Sequence, residues 1–468
     1  MKSSIRNIII ASVAAVTATS CAKKLDLYPQ NDLTPATVYS TPEGYKSVLA
    51  KVYGGLATTG NAGPAGASDI QGLDEGSQSP FIRGFFNCEE LPTDEAVVAW
   101  NDQTIKDFHN LRWSSSDPFL LGMYARPIYN ISVANEYLRE STDEKVAGRN
   151  ITGADADAIK SSRAEVRFLR AFNYWVMMDL FGKSTFITEE NAVGTDLPKE
   201  IGRADLFKYI EDELLAIDGD LAPAKTIEYG RVDQAAAWAL LARMYLNAEV
   251  YTGTPRWADA LTYAKKVIDA GYALQPSYPM LFMADNEKQK DEFIFAVNCD
   301  GLNTQSYGNT TFFVHAPAGD DHDVYGVGGG WYGYRTTSAF VNLFEDNTGA
   351  TDQRALFSNQ TNAAINDISD FNQGVHVRKY VNVRSDGGAT KDVTRNFSDV
   401  DYPVFRLSEM YLIYAECNLR GGGGDAATAL SYLNKIRTRA YGNTGSGTIS
   451  EFDLQTVLDE RGRELYWE

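Results

Sequence analysis

The chain has 468 residues and a formal net charge of −19, because 62 Asp and Glu residues outnumber 43 Lys and Arg residues. Its apolar share of 44% and charged share of 22% are ordinary for a globular protein, which excludes wholesale disorder. An acidic surface repels phosphate backbones, so a nucleic-acid partner is disfavoured. Aromatic residues reach 12%, and exposed aromatic rings suit neutral, hydroxyl-bearing ligands.

The first 20 residues have the pattern of a secretory signal peptide. Lys2 and Arg6 precede an apolar stretch over residues 8–18, which is too short to span a bilayer. Small residues then lead directly to Cys21, as in a bacterial lipobox. This pattern predicts that Cys21 is acylated and anchors the mature chain to a membrane by lipid. The alternative is an ordinary signal peptide that happens to carry a cysteine.

The chain after Cys21 is expected to form a tether over 21–40 and a single folded domain over 41–468. Within that domain, apolar residues at helical spacing predict helices over 41–57, 120–138, 160–181, 206–221, 232–246, 257–270, 407–419, 426–441 and 452–467. Residues of about 300–400 lack this spacing and are rich in Gly, Asn, Asp and aromatic residues, which predicts a long loop-rich insertion. The predicted fold class is therefore mainly α.

Two pairs of these helices have the residue spacing of tetratricopeptide repeats. The clearer pair has large and small residues in the expected order, at Trp238, Leu241, Ala242, Tyr245, Ala260 and Ala264. Residues 415–436 show a weaker version of the same spacing. Small residues let paired helices approach closely, while an aromatic residue fills the gap between neighbouring pairs. The alternative is two generic helical hairpins.

No motif of a known enzyme class stands out. The four histidines lie outside any HExxH or triad-like pattern, GxSxG is absent, and the glycine runs at 328–330 and 421–424 lack the Lys-Ser/Thr of a phosphate-binding loop. A glycosidase needs only two carboxylates a few ångströms apart, and nothing in the sequence singles out such a pair. We therefore expect a protein that catalyses no reaction.

A cluster of acidic residues raises the question of a metal. Asp320, Asp321 and Asp323 precede Gly326, which suggests calcium. The segment lacks the full calcium-loop pattern and its terminal bidentate Glu, so a solvated loop is the preferred interpretation. No metal and no cofactor are expected.

Several segments resemble the SusD/RagB family of outer-membrane lipoproteins from Bacteroidetes, and within it the starch-binding branch. In family order, they are DEGSQSPFIRGFFNCEELPTDEAVVAWN, AEVRFLRAFNYWVMMDLFGK, GRVDQAAAWALLARMYLNAEVYTG with LFMADN, RLSEMYLIYAEC and RELYWE. They are spread over essentially the whole mature chain, and the block that begins AEVRFLRAFNYW is specific.

The resemblance implies a fold in which four tetratricopeptide-like helical units support a loop-rich binding face. It also implies a surface-exposed lipoprotein of the outer membrane that captures starch or malto-oligosaccharides. Such a protein catalyses nothing, and it delivers its ligand to a SusC-like TonB-dependent porin. The family normally continues past RELYWE with a basic run, so the resemblance further implies a clipped C-terminal end.

The resemblance also transfers the family's ligand contacts to this sequence. The matching positions are Asp74, Arg83, Trp100, Asn101, Gln103, Trp331 and an aromatic residue at Tyr307 or Phe312. A second tryptophan of the family site falls on Val98, so one stacking platform is lost. Without the resemblance, Arg83 is equally well explained as a structural residue paired with Glu89 or Glu90.

The two candidate tryptophans also stand out by their sequence context. Trp100 lies in a polar segment, and Trp331 follows three consecutive glycines, so neither belongs to a helical stripe. An aromatic face covers the apolar face of a sugar ring, while polar side chains bind its hydroxyl groups. The alternative is that both rings only anchor loops. The expected ligand is a starch-type α-glucan; another neutral glycan, a surface glycoside hydrolase and a transporter cap without glycan binding are the other hypotheses.

Overall fold

The computed structural model describes residues 34–191, 193–194, 197–358, 360–443, 445 and 447–468. The predicted signal peptide, Cys21 and most of the predicted tether lie outside these residues. The α-helices, in chain order, are α1 Pro35–Val38, α2 Pro42–Gly54, α3 Phe81–Glu90, α4 Ile105–His109, α5 Pro118–Glu140, α6 Asp143–Gly148, α7 Ala154–Phe181, α8 Arg203–Ile217, α9 Gln234–Leu246, α10 Ala248–Thr252, α11 Trp257–Asp269, α12 Thr310–His315, α13 Ser338–Val341, α14 Leu407–Leu419, α15 Ala426–Tyr441 and α16 Leu454–Leu465.

Strands are short and pair only two by two in the described chain. They are β1 Val97–Val98, β2 Lys183–Phe186, β3 Lys199–Gly202, β4 Phe293–Val297, β5 Tyr334–Arg335, β6 Phe357–Ser358, β7 His376–Val377 and β8 Tyr402–Arg406. The antiparallel pairs are β1–β5, β2–β3, β4–β8 and β6–β7. The predicted mainly α fold class is confirmed, and residues 300–400 are mostly loops with short elements between them.

The long helices pack in two connected groups. In the first, α5 packs on α7 and α7 on α8, while α2 lies against both α5 and α7. In the second, α9 packs on α11, α11 on α14, and α14 on both α15 and α16. Ala242, Ala260 and Ala264 are fully buried, so small residues line the close approach of α9 and α11. That these hairpins are tetratricopeptide-like stays a prediction.

Helix α7 is the central element of the first group. Its aromatic residues Phe168 and Phe172 are buried and meet Phe295 of β4 edge-on, with ring centroids 5.7 and 6.4 Å away. Each such buried ring contributes about 2–3 kcal/mol relative to exposure. The helix ends at Gly182, whose φ of 68° lies in the left-handed region that glycine adopts without strain.

Helix α3 was not predicted, and it is the element that carries Arg83. Its sequence, FIRGFFNCEE, buries residues around most of the helix, including the polar Arg83 and Asn87. Phe81, Ile82, Phe85 and Phe86 share one face, so the helical spacing is present in the sequence, but the segment is short and Gly84 interrupts it. A Cβ atom at Gly84 would lie 3.0 Å from the sulfur of Met123, so glycine permits the close packing of α3 on α5.

The C-terminal residues pack beneath α3. Trp467 is buried and its ring contacts Phe86 of α3 edge-on at 5.1 Å between centroids. Nearby, the buried Arg406 is paired with Glu292, Glu464 and Glu468, with nitrogen–oxygen distances of 2.6, 3.0 and 2.6 Å. A hydrophobic contact and a buried ionic network thus fix the end of the chain against the core.

The folded domain begins before residue 41, which corrects the predicted tether of 21–40. Helix α1 lies within that range, and Tyr39 is only 2% exposed. The Tyr39 ring packs edge-on against Tyr45 at 4.9 Å and Tyr137 at 6.5 Å between centroids. Tyr39 therefore belongs to the core. Over the described residues, no helix combines the length and apolar character needed to cross a membrane.

Candidate functional site

Most of the sequence-predicted site residues meet at one surface cavity of about 760 Å³, which we call the aromatic cavity. This volume is in the range of small-molecule binding sites. The cavity is lined by residues from four separate parts of the chain: Pro64, Ala65, Leu73, Asp74, Glu75, Gly76, Ser77, Arg83, Trp100, Asp102, Tyr307 and Trp331. Folding therefore brings together the predicted Asp74, Arg83, Trp100, Tyr307 and Trp331.

Arg83 forms the base of the aromatic cavity. Its guanidinium group lies 5.2 Å from the centre of the Trp100 ring and donates a 2.9 Å hydrogen bond to the Gly76 carbonyl. Burial lowers the pKa of Arg83, while Tyr334 and Asp102 act in the opposite direction. The group stays protonated, because arginine holds its charge even when its pKa falls.

The structure does not show the pairing of Arg83 with Glu89 or Glu90 that was the alternative interpretation. Glu89 and Glu90 do not pair with it: Glu89 hydrogen-bonds to Asp179, and Glu90 to Glu95. Arg83 instead faces the cavity, where its charge can orient hydroxyl oxygens. Burial and the Asp179 carboxylate raise the pKa of Glu89 to about 8, so this carboxyl group is protonated at neutral pH.

Trp100 is half-buried and held from behind. Tyr334 contacts it edge-on with ring centroids 4.9 Å apart. Gly333 lies against the indole with a φ of 104°, and a Cβ atom there would be 2.3 Å from the Trp100 ring nitrogen. Only glycine accommodates both this backbone conformation and the ring. Trp100 is therefore fixed in position before any ligand arrives.

Three aromatic rings form a curved wall. The Trp331 ring is 6.5 Å from Trp100 with planes inclined by 47°, and 6.2 Å from Tyr307 with planes inclined by 58°. Tyr307 is 38% exposed. Because neighbouring planes are tilted in this way, the wall suits a ligand whose own ring planes turn along its length.

His315 stacks against Trp331 and was not predicted from the sequence. One ring nitrogen of His315 lies 2.7 Å from the Gly329 carbonyl and the other 3.1 Å from the Asn396 carbonyl. The backbone carbonyl of His315 accepts a 2.9 Å hydrogen bond from the Trp331 N–H. Burial lowers the pKa of His315, so the imidazole is neutral at pH 7 and donates to only one of the two carbonyls.

The carboxylates of the loop 73–77 are partly committed to local structure. One oxygen of Asp74 accepts hydrogen bonds from the backbone N–H groups of Gly76 and Ser77, at 3.0 and 2.7 Å, and from the Ser77 hydroxyl at 2.7 Å. Glu75 accepts from the Gly66 N–H at 2.9 Å. The second oxygen of Asp74 is the one left for a ligand.

Asp102 lines the aromatic cavity but was not among the predicted residues. The chain leaves β1 in an extended course, in which residues two apart face the same side. This alternation is a usable signal: it places Asp102 with Trp100, and Asn101 on the other side. Asn101 indeed accepts a hydrogen bond from Lys106 at 3.1 Å. The structure brings neither Asn101 nor Gln103 into the cavity lining.

The prediction that Phe312 contacts a ligand is wrong. Phe312 lies on α12 with no exposed surface, where its ring is 5.0 Å from the Arg83 guanidinium and 4.7 Å from the Tyr334 ring. Of the two aromatic candidates, only Tyr307 reaches the cavity. Phe312 acts instead as buried packing beneath Arg83.

Val98, where the family places a second tryptophan, is also buried. It lies in β1 and pairs with Tyr334 of β5. The platform lost at this position is not replaced from β1. The third ring of the wall comes from Tyr307 on the other side of Trp331.

The acidic cluster near residue 320 does not converge on one point. Asp320 accepts a hydrogen bond from Tyr332 at 2.5 Å, Asp321 from Ser358 at 3.1 Å, and Asp323 pairs with Arg395 at 3.0 Å. Over the residues that the structure describes, no three His, Cys, Asp or Glu side chains are grouped to hold a metal ion. The possible calcium loop therefore gains no support.

The arrangement fits a neutral, ring-shaped, hydroxylated ligand. The aromatic wall covers apolar ring faces, and Arg83, Asp74, Ser77 and Asp102 offer donors and acceptors at its base. Trp113, by contrast, is 47% exposed but lies outside this lining. An exposed aromatic ring alone therefore does not define the site. The site is defined by several aromatic and polar side chains that line one cavity.

Comparison with known proteins supports this interpretation. Residues 346–468 match the model of the SusD family. The chain is 34% identical to the starch-binding protein SusD of Bacteroides thetaiotaomicron, over 99% of this chain and 88% of that protein. Two solved structures share its fold: the surface glycan-binding protein A from Bacteroides uniformis (TM-score 0.67, 21% identity, 91% and 86% of the chains) and a laminarin-binding SusD-like protein (TM-score 0.68, 18% identity, 91% and 88%).

Proposed function

The chain belongs to the SusD family, and we propose that it is a non-catalytic protein that captures starch-type α-glucan in the aromatic cavity. The observation that carries this proposal is the wall of Trp100, Trp331 and Tyr307, whose successive planes are inclined by 47° and 58°. Successive α-linked glucose rings turn relative to one another, so tilted platforms can each contact one ring. Flat chains gain less from such a wall.

The relatives support the class of ligand and leave the linkage to experiment. The relative at 34% identity is a starch-binding protein, whereas one of the fold neighbours binds laminarin. Val98 stands where the family has a second stacking tryptophan. Glucan affinity should therefore depend more on Tyr307 than it would in a site that kept this tryptophan. Calorimetric titration with maltoheptaose, laminarihexaose, fructan and xylan fragments measures the affinity for each class of glycan. The proposal of starch binding is contradicted if maltoheptaose shows no binding.

The decisive variant is Trp100→Ala. Affinity electrophoresis in gels containing amylopectin should show retarded migration of the native protein and near-loss of that retardation in the variant. Trp113→Ala is the matched control, because it removes an exposed tryptophan outside the cavity. Equal retardation of Trp100→Ala and native protein contradicts the site. New reducing ends after incubation with amylose would instead indicate a glycoside hydrolase.

The proposal extends to location and partner. Cys21 would carry the lipid anchor that holds the protein on the outer face of the outer membrane, and a SusC-like TonB-dependent porin would receive the glycan. Cys21→Ala should release the protein from the membrane fraction, and the native protein should be accessible to protease on whole cells. Co-purification of the porin in detergent tests the partnership; a protein that purifies without it contradicts delivery.

A further inference from the structure

A second cavity of about 550 Å³ is built partly from the same chain segments as the aromatic cavity. The two share a loop, 60–68, which is closed at its base by the pairing of Gly60 with Ser68. Asn61 and Gly63 of this loop line the second cavity, while the next residues, Pro64 and Ala65, line the aromatic cavity. One stretch of chain thus passes from one cavity into the other.

The opposite wall is continuous in the same way. Leu302 to Gln305 line the second cavity, and Tyr307, two residues further, belongs to the aromatic wall. The floor is one face of α2, formed by Ser47, Ala50, Lys51 and Gly54. We call this second cavity the α2 groove. The two cavities therefore share one loop on one side and one chain segment on the other.

The one charged side chain in the described lining of the α2 groove is engaged by protein groups, although it shares its carboxylate partner with a second cation. Lys51 is the one charged residue in its described lining, and its ammonium group lies 2.8 Å from Asp69 and 2.9 Å from the Asn61 carbonyl oxygen. Asp69 is held in turn by Arg126 at 2.9 Å. The contact with Lys51 also fixes the side chain of Asn61. Among the described residues, no protein acceptor is shown for the NH₂ group of that side chain. Because Lys51 is engaged in this way, the carboxamide of Asn61 is the polar group of this region that is left to bind a neutral hydroxylated ligand.

The wall formed by residues 302–305 is held in place by hydrogen bonds and an ion pair. The Asp300 carboxylate accepts hydrogen bonds from the N–H groups of Leu302 and Asn303, at 2.8 and 3.0 Å, and pairs with Lys391 at 2.6 Å. These bonds lower the pKa of Asp300 to about 2. The turn therefore holds Leu302, which is 58% exposed, at the edge of the groove. A preformed wall loses little entropy when a ligand binds.

We propose that the α2 groove is a second subsite for the same glycan, occupied only by chains too long for the aromatic cavity. This proposal rests on the proposed function, because it assumes that a neutral oligosaccharide enters the aromatic cavity. In the groove, the carboxamides of Asn61, Asn303 and Gln305 bind sugar hydroxyl groups, and the side chain of Leu302 covers one apolar ring face. The protein thereby discriminates by chain length.

Calorimetric titration with maltotriose and maltoheptaose tests the subsite. We expect the native protein to bind maltoheptaose about tenfold more tightly than maltotriose, as two or three added hydrogen bonds would give. The double variant Asn61→Ala/Asn303→Ala should bind maltoheptaose no more tightly than maltotriose. Only its affinity for maltoheptaose should fall. Ala50→Arg, which fills the groove from α2, should do the same, while Ala158→Arg, at an exposed position of α7, should not.

The outcomes separate the two proposals. The subsite is supported if the groove variants keep the native affinity for maltotriose but no longer bind maltoheptaose more tightly. Equal weakening of both ligands, or an undiminished advantage in both groove variants, overturns it and leaves the aromatic cavity as the whole site. If the native protein binds neither ligand, the proposed function fails first and the subsite fails with it. Thermal melting of each variant shows whether a loss arises from unfolding.

Discussion

The imidazole of His315 lies flat against the indole of Trp331, with ring centroids 4.7 Å apart and planes inclined by 16°. The same histidine spans the carbonyls of Gly329 and Asn396. One buried side chain therefore joins the glycine-rich loop, the segment after residue 390 and the aromatic wall. The orientation of Trp331 depends on His315.

We expect His315→Ala to weaken maltoheptaose binding about tenfold, because the unsupported Trp331 ring loses its fixed orientation. Calorimetry of His315→Ala, Trp331→Ala and the double variant measures the coupling between the two residues. If His315 acts through Trp331, its substitution has no further effect in the Trp331→Ala background. Additive losses in the double variant would show that His315 acts by another route.

Tyr307 and Phe312 should behave oppositely. Tyr307→Ala removes an exposed ring of the wall, so glucan affinity should fall while the free energy of unfolding changes by less than about 1 kcal/mol. Phe312→Ala empties a buried position beneath Arg83 and should cost about 3–5 kcal/mol of stability. Urea unfolding and calorimetry on both variants check this pair. A stable Phe312→Ala protein with lost binding would return Phe312 to the site.

Glu89 should make stability fall as the pH rises. Its pKa is about 8 in the folded protein and about 4.3 in an unfolded chain, so the folded state binds more protons between these values. Its contribution is therefore complete below about pH 4.3 and is lost as the pH rises through 8. Glu89→Gln mimics the protonated group, so its stability relative to the native protein should rise by about 4 kcal/mol between pH 5 and pH 8.5.

Urea unfolding at pH 5, 7 and 8.5 measures this effect. The matched control is Glu416→Gln, because Glu416 lies at the surface in a pair with Arg420 and should show no such rise. A Glu89→Gln protein whose stability relative to native is the same at all three pH values would show that Glu89 is ionised in the folded state.

The buried network around Arg406 should dominate the stability of the C-terminal segment. Arg406→Met leaves Glu292 and Glu464 buried without this partner and should cost about 3–5 kcal/mol. Lys208→Met breaks an exposed pair with Asp212 and should cost less than about 1 kcal/mol. Urea unfolding of both variants compares them. Similar small losses would mean that Arg439 and Arg354 compensate for Arg406.

Most of the long helices could be predicted from the sequence because apolar residues recur in them at helical spacing. Helix α3 was missed although its apolar residues share one face, because it is short and contains Gly84, and Arg83 and Asn87 are buried with its aromatic residues. The sequence context singled out Trp100 and Trp331 as candidate ligand contacts. It could not show which of Tyr307 and Phe312 is exposed. That choice depends on Arg83 and Tyr334, which pack against Phe312 from distant parts of the chain.

The contact of Phe86 with Trp467 also affects the order in which parts of the domain fold during synthesis. Helix α3 leaves the ribosome long before Trp467, so this contact forms only after residue 467 has emerged. Contacts between such distant segments form late and slowly in folding. The packing of α3 against the C-terminal residues is therefore completed late.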